Sequence, residues 1–385
     1  MKKNTLKPSV VRPRLREARD ALMQAGEVPD GLVDPWLAQS WTRSRDAGLA
    51  PSGRPAGAPH ASALQLERAR EASRTLVDHA RPVMEFLFEQ TRGTDSVILL
   101  ADAQGMLLDA LGDASFVERA ERVALRPGAT WHEQWRGTNA IGTSLAEGRP
   151  LVIHGGEHYL ARNGFLTCAA APILDPAGRV LGALDISGDH REAHPHTLGL
   201  ARSGARMVEH RLFETCHRQG LKLRLHPRRE GLGGLTEGLL ALAEDGRVTG
   251  ANSVARGLLG LPARGMEGAT VETLFELDMR TLLHWSRSAA GPDLPRRVHR
   301  PDGGSLWAVI EPGRGLPEPP DRPVEVVEAA PRALPAPSAD PAPAQPAQDA
   351  GTLARVVEAC EGNLSEAARR LGISRTTLYR RLRTQ

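Results

Sequence analysis

The chain has 385 residues, of which 41% are hydrophobic and 4% aromatic, and its formal net charge is +3. This length allows two or three globular domains, and the small net charge excludes a uniformly basic nucleic-acid-binding protein, so any such site has to be local. No run of about 18 apolar residues is present, which predicts no membrane span. The three cysteines lie far apart without a CxxC spacing, so we expect neither a zinc site nor a disulfide framework, and we place the chain in the reducing cytoplasm.

The first half of the chain is predicted to hold a helical segment followed by a sheet. Residues 1–61 are expected to be an N-terminal helical segment, and one helical face in it carries Trp36, Leu37, Ser40 and Trp41. Residues 62–218 are predicted to form an antiparallel sheet with flanking helices. Two strand-turn-strand patterns, with turns at 102–105 and 175–178, enclose a helical middle. The fold class predicted for this part is therefore α+β.

A helix predicted from residue 196 to about residue 218 carries apolar residues three and four positions apart. They are Leu198, Ala201, Ala205, Val208 and Leu212. This seam spans about two heptads, which fits either a dimer interface or packing on the chain's own sheet. The sequence favours neither alternative.

The second half of the chain is predicted to hold a smaller domain, a linker and a terminal helical domain. Residues 233–312 repeat the order strand, turn, strand, helix. Residues 313–350 are rich in proline and alanine, a composition that cannot bury a core and behaves as an extended, semi-rigid spacer. Residues 351–385 are predicted to form a small all-α domain.

The terminal domain has the pattern of a helix-turn-helix. Asn363 can cap a helix with Glu366 three residues on, as in a capping box. Gly372 stands where the chain has to turn left-handed, and Ser374 can cap a second helix that runs to about Thr384. A solvated arginine face is the alternative, but two caps, an apolar set and a cationic face coincide here. The pattern predicts a reader of double-stranded DNA.

The outward face of this second helix carries the side chains expected to contact DNA. They are Ser374, Arg375, Thr376, Thr377, Tyr379, Arg380, Arg381 and Arg383. Arg375 and Thr377 lie near the helix N-terminus, where base edges or nearby phosphates are reached. The three later arginines are expected to meet phosphates. A single helix-turn-helix is a small reader, so we expect a homodimer on a two-fold site.

Residues 372–382, GISRTTLYRRL, resemble the C-terminal helix-turn-helix of the Fis family. Outside this tail the densest unusual stretch is 131–145, WHEQWRGTNAIGTSL. It predicts a pocket for a small-molecule effector, with aromatic walls and a few polar contacts. The candidate ligand-binding residues are Trp131, Trp135, Asn139, Thr143 and His158. A structural turn with a helix cap is the alternative interpretation.

Four stretches resemble the sensor region of the acetoin-catabolism regulators, which are bacterial enhancer-binding transcription factors. They are GTNAIGT at 137–143, GEHY at 156–159, TCAAAPI at 167–173 and HPHTLGL at 194–200. The resemblance implies a GAF sensor domain at 62–218 and a PAS-like domain at 233–312. It also implies a transcriptional regulator that responds to a small molecule.

One departure from that family concerns its central ATPase, which remodels the sigma-54 polymerase. A P-loop needs a Gly-Lys-Ser/Thr end because the lysine reaches the phosphates. The lysines of this chain are Lys2, Lys3, Lys7 and Lys222, and none follows a glycine. We therefore expect no ATP hydrolysis, no cofactor and no enzymatic activity.

Two further hypotheses remain open at the level of sequence. Cys168 lies in an apolar strand, where thiols are mostly inert, but a redox or enzyme-type sensor on the GAF scaffold would use it. A co-regulator that pairs with an ATPase-bearing relative is the other. A metal site is not expected, because His194 and His196 lack a placed third ligand, and the remaining histidines of the group, His154, His158 and His190, are expected on the surface or in packing.

Overall fold

The computed structural model describes residues 8–53, 57–192, 194–262, 264–286 and 294–313, together with Cys360. The predicted linker and the predicted DNA contacts from Ser374 to Arg383 lie outside the described residues. Both sheets reported below belong to one compact unit, Met1–Glu318. Within the described ranges, no helix has the length and apolar character needed to cross a membrane.

The first sheet is antiparallel and its strands are ordered β2-β1-β5-β4-β3. Its strands are β1 Ser96–Asp102, β2 Leu107–Gly112, β3 Leu151–His154, β4 Leu166–Leu174 and β5 Val180–Asp189. The helices around it are α1 Pro8–Ala25, α2 Pro35–Asp46, α3 Ala63–Ala72, α4 Arg74–Thr91, α5 Ala114–Glu121, α6 Glu133–Arg136, α7 Ala140–Glu147 and α8 Thr197–Cys216. The two predicted hairpins and the helical middle are present, and the mixed helix-and-sheet class is confirmed.

One face of this sheet is covered by α4 and α8. The apolar seam of α8 lies in this core, since Ala201, Ala205, Val208 and Leu212 are buried with Leu184 of β5. Leu198 packs against the same core while half-buried. The seam is therefore occupied by the chain's own sheet, which decides between the two alternatives that the heptad spacing left open.

Gly204 is where α8 approaches the sheet and α4 most closely. A Cβ at this position would lie 2.5 Å from Leu184 Cδ2 and 2.6 Å from Leu87 Cδ1. We expect Gly204→Ala to lower the free energy of unfolding by about 1–3 kcal/mol through overpacking. Gly199→Ala in the same helix meets no atom within 4 Å, and should be neutral or stabilise by up to about 1 kcal/mol because alanine is the better helix former. Urea denaturation of both variants checks this, and equal effects would contradict it.

The opposite face is covered by α5 and α7, while α2 packs on α6 and α1 packs on the turn at 155–157. Trp41 of α2 and Leu22 of α1 are buried in the same core as Phe116, Trp131 and Tyr159. The apolar side chains of the N-terminal segment therefore share the core of the first sheet.

The second sheet is also antiparallel, with its strands in the order β8-β7-β6-β10-β9. Its elements are β6 Leu221–His226, β7 Gly238–Leu242, β8 Val248–Ala251, α9 Ser253–Leu259, α10 Val271–Leu274, α11 Met279–Ser286, β9 Arg296–His299 and β10 Ser305–Glu311. The central strand, β6, precedes the expected range 233–312. Its position depends on pairing with β7 and β10, and this pairing cannot be predicted from a short stretch of sequence.

Candidate functional site

Two stretches that stood out in the sequence, α2 and the segment 131–145, meet in a buried polar network. Ser40 of α2 donates a hydrogen bond to Glu133 Oε1 and lies 2.7 Å from the hydroxyl of Thr138. Thr143 donates to the same carboxylate oxygen at 2.6 Å. Ser44, one turn further along α2, donates to the backbone carbonyl of Ser40 at 2.8 Å. The carboxylate of Glu133 thus joins α2, α6 and α7 beneath the surface.

Arg43 closes this network from the solvent side. Its Nε donates to Glu133 Oε2 at 2.7 Å, and its Nη2 lies 3.0 Å from a carboxylate oxygen of Glu147. The side chain of Glu133 is 7% exposed, while that of Arg43 is 39% exposed. Hydrogen bonding to Glu133 raises the pKa of the Arg43 guanidinium. The arginine therefore supplies the positive charge that a buried carboxylate requires.

Asn139 is the N-cap of α7. Its Oδ1 accepts the backbone N–H of Gly142 at 2.8 Å, and its Nδ2 donates to the carbonyls of Trp131 and Gly137 at 2.9 and 2.8 Å. A Cβ at Gly142 would lie 2.6 Å from the Trp131 carbonyl oxygen. The Gly-Thr-Asn-Ala-Ile-Gly spacing is thus satisfied by local turn and cap geometry, which is the alternative that the sequence had left open for this residue.

The remaining predicted ligand-binding residues differ in burial and in whether their polar groups are already hydrogen-bonded. Trp131 is buried and its indole N–H donates to the Ala124 carbonyl at 3.0 Å. Trp135 is half-buried. Thr143 is buried and is held by Glu133. Of the predicted walls, only Trp135 retains partly accessible ring surface.

His158 is 0% exposed and keeps one ring nitrogen without a partner. Its Nδ1 lies 3.0 Å from the Gly155 carbonyl, so this nitrogen carries the proton and donates. Its Nε2 is then a buried acceptor with no hydrogen-bond partner among the described residues. Burial lowers the pKa of His158 to about 4, so the imidazole is neutral at physiological pH. Buried acceptors are nearly always hydrogen-bonded in folded proteins, so this unsatisfied nitrogen is an exception.

A buried carboxylate in the centre of the first sheet was missed by the sequence analysis. Asp185 is 0% exposed, its Oδ2 accepts the hydroxyl of Ser187 at 2.5 Å, and its Oδ1 has no hydrogen-bond partner within the described part of the chain. Burial raises the pKa of this carboxyl to about 7. The signal was a single acidic residue inside the apolar strand β5. Alternation along β5 places Asp185 on the same face of the sheet as Ala183, which is the face that α7 covers.

Cys168 is opposite Ser187 in the register of β4 and β5. The thiol is buried, and burial with the nearby Asp185 raises its pKa well above the ordinary value. A thiol held protonated is a poor nucleophile and oxidises slowly. This environment speaks against the redox hypothesis.

The histidines that suggested a metal site do not converge with other ligands. His154 and His190 pack edge to face with ring centroids 6.1 Å apart, and His194 and His196 are exposed. Within the described part of the chain, no three His, Cys, Asp or Glu side chains come together in a group able to hold a metal ion.

The comparison with known families decides where this chain belongs. The family described as MimR, N-terminal domain, matches residues 13–210, which is about half of the chain. The chain belongs to this family. The matched range contains α2, the network around Glu133 and the whole first sheet. A second family, described as bacterial regulatory protein, Fis family, matches residues 349–384.

Similar proteins of established name are transcriptional regulators. The acetoin catabolism regulatory protein of Cupriavidus necator is 34% identical over 292 residues, which cover 72% of this chain and 43% of that protein. The propane 2-monooxygenase operon transcriptional activator MimR of Mycolicibacterium goodii is 32% identical over 199 residues, covering 51% and 33%. The acetoin dehydrogenase operon transcriptional activator AcoR of Bacillus subtilis is 32% identical over 201 residues, covering 51% and 33%. The chain spans less than half the length of each.

Proposed function

We propose that this protein is a cytoplasmic, sequence-specific DNA-binding transcriptional regulator that responds to a small-molecule effector. The observation that carries the proposal is the Fis-family match at residues 349–384 in a chain whose N-terminal half belongs to the MimR family. The similar proteins are named as regulators of operons, which supports the same role here.

In this proposal the helix at 375–384 enters the DNA major groove. Arg375 and Thr377 reach base edges, and Arg380, Arg381 and Arg383 contact phosphates, as their order along the helix suggests. Ser374, Thr376 and Tyr379 complete the surface. A homodimer would place two such helices on a two-fold site.

The sensor in this proposal is a GAF-type unit built on the first sheet, followed by a PAS-like unit built on the second. Within the first sheet and its helices, the effector would use His158 Nε2 and Asp185 Oδ1, which have no hydrogen-bond partner among the described residues. Such an effector would donate a hydrogen bond to the neutral imidazole nitrogen of His158, which is an acceptor. Relatives named for acetoin and propane operons support a small organic molecule. Trp135 and Thr143 remain candidate contacts.

We also propose that this chain acts on transcription without hydrolysing ATP. Residues 313–350, between the second sheet and the helix-turn-helix, number fewer than a typical domain of roughly 100 residues, and no lysine of the sequence follows a glycine. The output would then be occupancy, pairing or orientation on DNA.

The test begins with DNA selected from a random pool by the full chain. Arg375→Ala should weaken binding to the selected site by about 1–3 kcal/mol and relax the preference at one base position. Arg383→Ala is the matched variant, which should weaken binding to all sequences alike and reduce the salt slope by about one. Affinity is measured by fluorescence anisotropy at several salt concentrations. Selection of no common sequence, or an Arg375→Ala variant with unchanged preference, would overturn the assignment.

A further inference from the structure

A cavity of about 240 Å³ lies where the two sheets of the unit meet. It is bounded by α8 and the end of β4 on the side of the first sheet, and by α9 on the side of the second. Its charged and polar lining consists of Arg202, Arg206, Glu209, Ser253 and Arg256. Because α8 covers the sheet face opposite Asp185, this cavity is separate from the proposed effector site.

The lining carries three arginines and one glutamate. Arg202 and Arg206 are one helical turn apart on α8 and lie on the same side of it. Among the described residues, neither they nor Arg256 has a carboxylate oxygen within 4.0 Å. Burial, with the charge of Arg202, lowers the pKa of Arg206, and burial lowers the pKa of Arg256. The positive charge in this cavity is therefore incompletely balanced by the protein.

Arg256 has a buried donor that nothing in the described chain satisfies. Its side chain is 5% exposed, its Nη1 donates to the Pro262 carbonyl at 2.7 Å, and its Nη2 donates to the Pro176 carbonyl at 3.2 Å. Its Nε–H has no partner. A buried donor without an acceptor costs about 1–3 kcal/mol, so the described residues do not fully satisfy this guanidinium.

Glu209 is the one acidic group of the lining, and its carboxylate accepts hydrogen bonds from a backbone amide and a hydroxyl rather than from an arginine. One carboxylate oxygen accepts the backbone N–H of Leu174 at 3.0 Å, and the other accepts the hydroxyl of Ser253 at 2.5 Å. Burial raises the pKa of this carboxyl, which favours its neutral form. Even when Glu209 is ionised, three arginines and one glutamate leave an excess of two positive charges.

From this lining we propose that the junction cavity binds a small oxyanion, a carboxylate or a phosphate, held by Arg202, Arg206 and Arg256. Guanidinium groups are the usual partners of both anions because their donors match paired oxygens. The cavity is smaller than the roughly 300–1,000 Å³ of sites for drug-sized ligands, which favours inorganic phosphate or a short carboxylic acid.

An anion bound in this cavity would affect the contacts that join the two sheets. Ser253 reaches across to Glu209, and the Pro176 carbonyl of the first sheet accepts the backbone N–H of Ala251 at 2.9 Å as well as Arg256. An anion held by α8 and α9 together would add to these contacts. It would therefore stabilise the arrangement of the two sheets by mass action.

The test uses the full chain with inorganic phosphate, acetate and succinate as probes, and with sodium chloride at matched ionic strength as the reference. Thermal unfolding and isothermal titration are measured for the wild type, Arg206→Gln and Arg211→Gln. Arg211 is an exposed arginine of the same helix outside the cavity, so it is the matched control. Arg206 is half-buried and holds no structural hydrogen bond among the described residues, so its variant should fold.

We expect at least one oxyanion to raise the melting temperature of the wild type and of Arg211→Gln beyond the chloride reference. Arg206→Gln should bind that anion at least tenfold more weakly. A response confined to phosphate or confined to the carboxylates identifies the class of ligand. Equal responses of all three proteins would place the binding elsewhere, such as in the arginine-rich tail, and would overturn the proposal, as would the absence of any response beyond chloride. DNA binding is measured separately, so failure here leaves the proposed function untouched.

Discussion

Replacing Glu133 with alanine is expected to lower the free energy of unfolding by about 3 kcal/mol, because the change leaves several buried polar groups without partners. The carboxylate accepts hydrogen bonds from Ser40, Arg43 and Thr143. Two of these donors are buried hydroxyls on different helices. We therefore expect α2 to loosen from α6 and α7 before the remainder of the unit unfolds.

Urea denaturation measures this loss, and limited proteolysis of the folded protein measures the loosening of α2. Glu147→Ala is the matched control, since Glu147 contacts the same arginine from a more exposed position. That variant should cost less than about 1 kcal/mol, as partly exposed ion pairs do. If the two variants were equally stable, this would contradict the conclusion that the hydrogen bonds of Glu133 hold α2 in place.

Replacing Asp185 with asparagine is expected to stabilise the protein at pH 8 and to do so much less at pH 5. The carboxyl has a pKa of about 7 in the folded protein and an ordinary value near 3.8. Because the folded state binds this proton more tightly than the unfolded state, stability from this group falls as the pH rises from about 4 to about 7. Asparagine has the same shape and does not ionise. The gain of the variant over the wild type should grow by about 2–3 kcal/mol between pH 5 and pH 8.

The comparison has to be made as a difference between variant and wild type at each pH. His158 acts in the opposite direction, since its folded pKa of about 4 lies below its ordinary value of 6.5, so its contribution to stability increases as the pH rises through that interval. Taking the difference removes this contribution. Urea midpoints at pH 5, 6.5 and 8 are sufficient.

Asp189→Asn on the same strand provides a control of opposite sign. Hydrogen bonds from Arg191 and Arg119 hold the pKa of Asp189 below its ordinary range. The ionised form therefore stabilises the folded protein at neutral pH, and removing it should destabilise. A pH-independent effect of Asp185→Asn, or the same sign for both variants at pH 8, would contradict the assignment of Asp185 as an unpaired buried carboxyl.

Elements with local signals were predicted well from the sequence. The helix predicted after the second strand of residues 233–312 is α9, and Asn252 is its N-cap while Gly260 ends it in a left-handed conformation. Caps and left-handed glycines act within three or four residues, so their signal is contained in a short window. The same holds for the turn at 175–178 and for the apolar strands on either side of it.

Features that depend on distant partners were not predicted. Strand β6 carries Lys222 and Arg224 among its leucines, and it forms the centre of the second sheet only because β7 and β10 pair with it. Lys222 is buried in this strand, and its ammonium group forms ion pairs with Glu214 and Glu311 at 2.6 and 2.8 Å. From sequence alone, a strand with charged residues is predicted to be exposed, because the residues that pair with its charges are not known.

The sequence by itself determined the local elements, the family to which the chain belongs and the residues of the helix-turn-helix that are proposed to read DNA. These follow from periodicity, caps and motifs that short stretches contain. The tertiary structure alone decided that the seam of α8 faces its own sheet, that Asn139 caps a helix, and that Asp185 lies unpaired in a core. It also decided that Arg202, Arg206 and Arg256, from different helices, share one cavity. The physical reason is that burial and charge balance depend on which residues meet across the fold, and contacting residues such as Arg19 and His158 lie as far as 139 positions apart in the chain.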